Sequence, residues 1–366
     1  TAILKQGLAT IDFTCDNDLL IANACVGADI TRTDSKADFS LSLNMINFHA
    51  LGLAKDPIMA SMVLNADGHT DMKQTHRLAG GIHSMEISTP DTTYYPLDLD
   101  IKVEMNESSI LAKTSAGDLN LNFEAADGID SLIHKLSSVA EELNSQIDNK
   151  ILNHNSIKEK LPELSLRVSC KDNNPLANIT RSMLGARFND LDIELKTDLQ
   201  NGINGHGQLN KLRTAAIMLD SISWDIRHLP EGIDITSRVK NGPRNKVVNF
   251  ESNIHALLKS NGLETAFLFI DDKGRKGVDF GMNFESNDIS IRVSLSQLNP
   301  IIAYRQFEVN KDNHISINKT NHLCANMNLL ADDGTNIKLY SSPNELTQQD
   351  ITLSVANFNL GELSNV

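Results

Sequence analysis

The feature that most constrains the fold is a strict alternation of apolar and polar residues within short segments. In the segment 97–105, five apolar residues alternate with four charged ones. Because successive side chains of a strand point to opposite faces, this spacing places every apolar side chain on one face and excludes a helix. The same pattern recurs at 39–43, 119–123, 164–168, 191–195, 233–235, 278–280, 289–295 and 351–355. The sequence therefore predicts a mainly β protein with antiparallel strands.

Turn residues separate these segments, and the number of segments limits the sheet arrangements that the chain can form. Asp-Gly and Gly-Asp pairs at 66–68, 116–118, 271–274 and 332–334 supply the positive φ that tight hairpins require. At about 12 to 15 residues for each strand and its turn, the chain holds on the order of 22 to 28 strands. An open twisted sheet rarely exceeds about ten strands. We therefore expect either stacked sheets or a long sheet that curls over its own apolar face.

One region departs from the alternation. From 129 to 152 the apolar residues follow a three-four spacing, which predicts an amphipathic helix. Ser156 and Glu159 have the spacing of a capping box for a second short helix that stops at Pro162. The segment 174–185 predicts a third helix, with Pro175 near its start and Gly185 past its end. The predicted organisation is a β segment at 1–126, a helical insert at 127–162, and a β segment at 163–366 with a short helix near 175–184.

Composition excludes several classes of partner. The formal net charge is -14, so the surface repels phosphate backbones and we expect no nucleic-acid partner. Aromatic residues make up only 5%, which makes the apolar face aliphatic. The four cysteines form no CxxC pair, and we interpret Cys15 and Cys25 as unlinked thiols. No apolar run approaches the ~18 residues of a membrane span. The chain opens at Thr1 in mid-pattern, and we expect it to be an interior piece of a longer protein.

Motifs for catalysis, nucleotides or metals do not occur in the sequence. It lacks GxSxG, HExxH, GxxxxGK[ST] and a GxGxxG after a strand. The glycine-rich segment 202–207 is interpreted as a hairpin, because no helix follows it to receive a phosphate. His69 and His76 are interpreted as exposed residues near turns, despite the nearby Asp67 and Asp71. We expect no enzymatic activity, no cofactor, no metal and no catalytic residue.

The alternating apolar stripe has two interpretations. It is typical of a dry sandwich core, in which two sheets cover each other. It is equally typical of an open aliphatic lining, and the large number of strands and the scarcity of covering helices favour this second interpretation. Alternation alone leaves both open.

Several segments resemble a known family. The runs 329–341 and 351–363, the motifs 51–53, 63–68 and 78–82, and the insert 128–162 followed by Asn173-Asn-Pro175 are similar to segments of the Bacteroidetes TamB proteins, which belong to the AsmA-like intermembrane bridge proteins. The motifs 51–53, 63–68 and 78–82 resemble the strand, glycine turn, strand units of that family. The family's N-terminal membrane anchor and C-terminal conserved domain lie outside this sequence.

The resemblance implies a taco-like β trough in the periplasm that conducts phospholipid or another lipid between the inner and outer membranes, in a protein anchored in the inner membrane. It also implies an outer-membrane barrel protein of the assembly machinery as partner, with membrane contact through the terminal regions. An alternative role is a scaffold that pairs its edge strands with nascent outer-membrane proteins. The inward apolar residues are the predicted lipid lining. These are Leu97, Leu99, Ile101, Val103, Met105, Leu119, Leu121, Phe123, Leu191, Ile193, Leu195, Ile289, Ile291, Val293, Leu295, Ile351, Leu353 and Val355.

Overall fold

We describe the chain from a computed structural model. It describes residues 1–31, 35–71, 74–149, 152–242, 245, 249–287, 290–318, 322–341 and 351–357. Within these ranges the chain forms 25 strands of one antiparallel sheet and three helices. The expected mainly β, antiparallel fold with a helical insert is confirmed, and the number of strands lies inside the predicted range. The chain divides into two compact units, one of residues 1–136, 162–197 and 213–216, and one of residues 137–161, 198–212 and 217–366.

The first unit is a meander in which successive strands pair side by side, with β6 pairing to both β7 and β8. Its strands are β1 (Ala2–Lys5), β2 (Leu8–Asp16), β3 (Leu20–Asp29), β4 (Ser35–Asn47), β5 (Met59–Thr70), β6 (His76–Ser88), β7 (Thr93–Tyr94), β8 (Leu99–Asn106), β9 (Ser109–Ala116), β10 (Leu119–Ala125), β11 (Leu164–Cys170) and β12 (Asp190–Asp198). The helix α1 (Ile129–Asn149) begins after β10, and α3 (Pro175–Leu184) connects β11 to β12.

The second unit also consists of antiparallel strands. Its strands are β13 (Gly202–Arg213), β14 (Met218–Leu229), β15 (Gly232–Asn241), β16 (Phe250–Lys259), β17 (Gly262–Asp271), β18 (Lys276–Ser286), β19 (Ser290–Leu295), β20 (Ile301–Ile302), β21 (Arg305–Val309), β22 (His314–Asn318), β23 (Leu323–Ala331), β24 (Asn336–Ser341) and β25 (Ile351–Ala356). The helix α2 (His154–Lys158) belongs to this unit and contacts β15. Beyond β18 the strands shorten, and β23 pairs with both β21 and β22.

The helix predictions are correct in place, but one predicted cap is wrong. The first helix ends at Asn149, with residues 150 and 151 outside the described residues. The N-cap of α2 is Asn153, whose side chain accepts from the backbone N–H groups of Asn155 and Ser156, so the predicted capping box at Ser156 and Glu159 does not form. Asn competes as well as Ser for this position.

The third helix has the predicted termini. Asn174 is its N-cap, Pro175 follows, and Gly185 ends it at φ 60 in the left-handed region. This confirms the rule that proline suits the first helical position and glycine the residue after the last.

The turn predictions separate into two groups. The turns at 116–118, 271–274 and 332–334 form, and Gly117, Gly274 and Gly334 have positive φ. The predicted turn at 66–68 is wrong, since these residues lie inside β5. The glycine-rich segment 202–207 also lies in a strand, β13, so the hairpin expected there is displaced to the residues just before Gly202.

The expected glycine turn forms at 51–53, where Gly52 has φ 73, but the resemblance to strand, glycine turn, strand units is not met at 63–68 and 78–82. Both segments are uninterrupted stretches of strand, in β5 and β6. A Cβ at Gly80 would lie 2.7 Å from the carbonyl oxygen of Asn65 and 3.0 Å from the Cβ of Ala66. The glycine is therefore explained by close packing against the neighbouring strand rather than by a turn.

Candidate functional site

The apolar side chains of the first unit line up across its strands on one face, which we call the first apolar face. Two neighbouring rows illustrate it, each joining directly paired residues of β2 to β6 and β8 to β12. One row is Ile11, Val26, Phe39, Ala66, Gly80, Ile101, Thr114, Leu121, Val168 and Ile193. The other is Ala9, Ala28, Ala37, Gly68, Leu78, Val103, Ala112, Phe123, Leu166 and Leu195. Apart from Thr114, these rows carry no side chain that forms hydrogen bonds.

The opposite face of the same strands is polar. A row on it joins Asp12, Cys25, Ser40, Asn65, Gly81, Asp100, Ser115, Asn120, Ser169 and Asp192. Ion pairs cross this face, including Glu194 with Arg167 at 3.0 Å and with Lys196 at 2.7 Å. The hydrogen bonds from these two cations lower the pKa of Glu194 to about 2. The sheet is therefore amphipathic, with one solvated face and one aliphatic face.

The large side chains of the first apolar face are only partly buried. Ile101, Val103, Leu121 and Ile193 are half-buried, and Phe13, one row further on, is 49% exposed. The inner face of a sandwich is packed as densely as a protein interior, where such residues lose contact with water. The first apolar face thus lacks the burial of a sandwich core.

Helix α1 covers one end of the first apolar face. Leu132, which is 5% exposed, packs with Ile110 and Ala125, and Met105 and Phe123 contact this cluster. Asp127 stabilises the N-terminal turn of α1. Its carboxylate accepts a hydrogen bond from Ser131 and forms an ion pair with Lys135 at 2.7 Å. Leu136 lies one turn further along the same side of the helix and is 46% exposed. The buried contact of the helix with the face is therefore made by Leu132 in its first turn.

Helix α3 is fixed at the other end of the same strands. Its N-cap, Asn174, is fully buried and donates to Asp118 in the turn between β9 and β10 at 2.7 Å. The backbone N–H groups of Lys171 and Asn173 also donate to Asp118. Burial alone would raise the pKa of Asp118, but these hydrogen bonds outweigh it and lower the pKa. The first apolar face lies between these two helical attachments.

The second unit has a corresponding surface, which we call the second apolar face. Its central row joins Trp224, Ser237, Ile254, Phe267 and Phe280, and the next joins Ile226, Ile235, Ala256, Thr265, Met282 and Leu295. The rings of Phe267 and Phe280 are 6.0 Å apart. Ile254 is 43% exposed, so this face is also open in part. Near β21 and β23 this face ends at a compact buried cluster, which consists of Phe307, Val309, Leu329 and Ala331.

Most of the predicted lining residues lie on these two faces. Thirteen of them form strands and are half-buried; these are Leu99, Ile101, Val103, Met105, Leu119, Leu121, Phe123, Leu191, Ile193, Leu195, Ile291, Val293 and Leu295. On β25, Ile351, Leu353 and Val355 are exposed by 41%, 65% and 52%. Ile289 lies outside the described residues.

Three predicted lining residues differ from the rest in their surroundings. Leu97 precedes β8 and packs beside Gly117, so the strand begins two residues later than the alternation predicts. Met105 and Phe123 lie under Leu132, so α1 covers them in part. Their alternation predicts the face correctly, but it carries no information about a helix that packs over the strand ends.

The polar faces contain two shallow cavities that the sequence analysis does not predict. One of about 330 Å³ is bordered by Asp12, Cys25 and Ser40 in the first unit. The other, of about 450 Å³, lies in the second unit and is bordered by Arg238, His255 and other residues. The ring of His255 is 2.5 Å from the buried carboxylate of Asp234. Only the cross-strand register, which the sequence does not provide, brings these residues together.

The remaining site predictions concern metals and thiols. Among the residues that the structure describes, no group of three or more His, Cys, Asp and Glu side chains is placed to hold a metal ion. Cys15 and Cys25 are free and lie on opposite faces of neighbouring strands, which prevents a bridge between them.

Two further comparisons complete the description of the chain. Within the described residues, no helix has the length and apolar character needed to cross a bilayer. Comparison of the chain with protein-family models, with curated proteins and with solved structures found no match.

Proposed function

We propose that the chain binds the acyl chains of phospholipid on its apolar faces and conducts lipid along them, as a periplasmic segment of a bridge between inner and outer membranes. The observation that carries the proposal is the half-burial of an aliphatic face that continues from β2 to β12. Monomeric soluble proteins rarely expose a contiguous apolar patch of more than a few hundred Å². Larger patches are typical of surfaces that bind a lipid or a partner.

The dimensions suit an acyl chain. Strands lie about 4.8 Å apart, so the paired strands from β2 to β12 extend the face over more than about 40 Å across the strands. Rows on one face are about 6.7 Å apart, which leaves a shallow furrow between neighbouring rows. A chain of about sixteen carbons gains on the order of 10 kcal/mol when it leaves water, at roughly 0.8 kcal/mol for each CH₂. The face provides apolar contact without a fixed polar partner.

A matched pair of substitutions on β10 tests the proposal. Leu121 lies on the first apolar face, between Thr114 and Val168, and the next residue, Asn122, lies on the polar face between Lys113 and Arg167. Leu121→Asp places a carboxylate where acyl chains would lie. Asn122→Asp adds the same charge beside two cations, where it is well tolerated.

The measurement is the phospholipid that co-purifies, determined by mass spectrometry after extraction, together with crosslinking to a phospholipid that carries a photoreactive acyl chain. We expect stoichiometric lipid in the parent protein and in Asn122→Asp. We expect at least about tenfold less in Leu121→Asp, since only 1.4 kcal/mol is needed for that factor. Equal lipid in all three proteins would refute the assignment of the face.

The alternative role, a scaffold for outer-membrane proteins, is supported by a different observation. Among the described residues β25 pairs only with β24, and its apolar side chains are the most exposed of the predicted lining. An open edge of this kind can accept a further strand. A stable parent protein that carries no lipid and shows no crosslink would favour the scaffold over the conduit.

A further inference from the structure

The short helix α2 is joined to β14 through two histidines, one buried and one half-buried. His154, the first residue of α2, is 3% exposed, and its Nδ1 lies 3.0 Å from Nε2 of His228 on β14. His228 pairs with Ile233 of β15, which is itself buried and belongs to the second apolar face. The segment is fixed at a second point, where the backbone N–H of Asn261 donates to the carbonyl of Leu152 at 2.6 Å.

The imidazole pair is enclosed tightly. Gly202 has φ 73, and a Cβ there would lie 2.3 Å from Nδ1 of His228, so the ring packs directly on this glycine. The Nδ1 atom of His228 is buried and has no hydrogen-bond partner. Within the ring pair, therefore, a single hydrogen bond joins the two side chains, and one ring nitrogen is already left without a partner.

We propose that His154 and His228 form a pH-sensitive latch, which holds α2 on the end of the second apolar face at neutral pH and releases it on acidification. The proton count gives the mechanism. A neutral imidazole has one N–H and one acceptor nitrogen, so the neutral pair forms its hydrogen bond with one donor and one acceptor. Addition of a proton to each ring turns both facing nitrogens into donors and places two positive charges about 3 Å apart. The hydrogen bond is then lost.

The surroundings oppose protonation. Burial lowers the pKa of His154, and the charge of Lys158 lowers it further. Burial, the charge on His154 and Lys158 lower the pKa of His228. Around the pair, β13 contributes Gly202 and the side chain of Asn204, which accepts from the backbone N–H of His228.

The nearby carboxylates interact with other groups, so they do not offset a positive charge on the two imidazole rings. Asp198, the last residue of β12, accepts hydrogen bonds from Asn201 and interacts with the charge of Lys158. Asp234 of β15 projects from the opposite face and is held by His255 and Arg227.

The direction of the pH dependence follows from linkage. Because both pKa values are lower in the latched state, the released state binds more protons below the ordinary histidine pKa of about 6.5. The latch is therefore fully stable above that pH and weakens as the pH falls. Uptake of one proton on release raises the opening constant by up to about tenfold for each pH unit, and uptake of two by up to about a hundredfold.

Hydrogen exchange of the segment 153–161, corrected for the intrinsic effect of pH, measures the opening constant directly. We expect opening to increase more than tenfold between about pH 7 and about pH 5 in the parent protein. His228→Gln removes one of the two titrating rings. We expect its opening to depend less steeply on pH than in the parent protein, because only His154 can still take up a proton on release. His134→Gln changes an exposed histidine of α1 and is expected to retain the parent behaviour.

Two results would overturn the latch: equal protection of this segment at both pH values in the parent protein, or an unchanged pH dependence in His228→Gln. If that variant does not fold, the imidazole NMR titration of the parent protein decides the question. Both His154 and His228 must then titrate below the ordinary histidine pKa of about 6.5, and a midpoint of either at or above that value contradicts the proposal. The test needs no lipid, so it is independent of the conduit function.

Discussion

Replacement of Leu132 by alanine is expected to detach the first turn of α1 from the first apolar face, whereas the same change at Leu136 is expected to have little effect. The two residues lie one turn apart on the same side of one helix, and they are 5% and 46% exposed. Leu132 packs with Ile110 and Ala125, while Leu136 belongs to no described core cluster. Because the substitution is identical, any change in helix propensity cancels between the variants.

The expected magnitudes follow from burial. Leucine to alanine removes three carbons, which contribute about 2.4 kcal/mol when fully buried, at about 0.8 kcal/mol each. The cavity left under α1 adds to this, and measured values for buried sites fall between about 2 and 5 kcal/mol. We therefore expect Leu132→Ala to lower the free energy of unfolding of the first unit by about 3 kcal/mol. Leu136→Ala leaves no cavity, and we expect about 1 kcal/mol or less.

Hydrogen exchange of β9, β10 and α1 in increasing urea measures this loss. Trp224, the single tryptophan, lies in the second unit and provides an internal control, since its fluorescence transition is expected to be unchanged. If the two variants destabilise these strands equally, or if Leu132→Ala leaves them unaffected, then α1 does not anchor on the first apolar face.

Two further predictions concern the opposite end of that face. Asn174→Ala removes the buried N-cap of α3 and its hydrogen bond to Asp118, so we expect a loss of about 1 to 2 kcal/mol, measured by exchange in α3 and β11. Alkylation by iodoacetamide in the native state is expected to be at least about tenfold slower at Cys170 than at the exposed Cys25. Burial and the charge of Asp118 raise the pKa of Cys170 to about 11, so little thiolate is available; comparable rates at both cysteines would show that this end of the face is open.

Alternation predicts the strands well because it depends only on the two-residue period of the backbone. The segments 119–123, 164–168 and 191–195 all lie inside strands, and their apolar residues pair across β10, β11 and β12 in one register. Period two also fixes which residues share a face, so the composition of the first apolar face follows from the sequence. The lining role of these residues stays a prediction.

The role of individual glycines is the feature that the sequence predicts poorly. The Asp-Gly pair at 67–68 has the same letters as a hairpin turn, but Gly68 lies in the ladder between Ala37 and Leu78. A Cβ there would approach the carbonyl of Arg77 to 3.2 Å. A glycine required for positive φ and a glycine required for close approach of strands cannot be distinguished without the position of the neighbouring strand.

Covering layers are the second feature that local sequence does not specify. A strand with the pattern of β10 is equally suited to a sandwich and to an open face, because the pattern states what is apolar and not what packs on it. The difference appears in burial. Ile110 and Leu132 are buried where α1 packs on the strand ends, and Leu121 on the neighbouring strand is only half-buried.

For the proposed lipid, the chemistry of the rows favours movement of an acyl chain along the face over binding at a fixed site. A ligand held by hydrogen bonds would have to break them at each step, whereas Ile101, Leu121, Val168 and Ile193 offer only aliphatic contact. An acyl chain that advances by one strand exchanges one set of methyl groups for a similar set, so its free energy changes little from step to step. Since apolar contact is not directional, the barrier between such positions is small. A single carboxylate at position 121 interrupts this equivalence. One substitution on β10 therefore distinguishes a face that conducts lipid from a face that binds none.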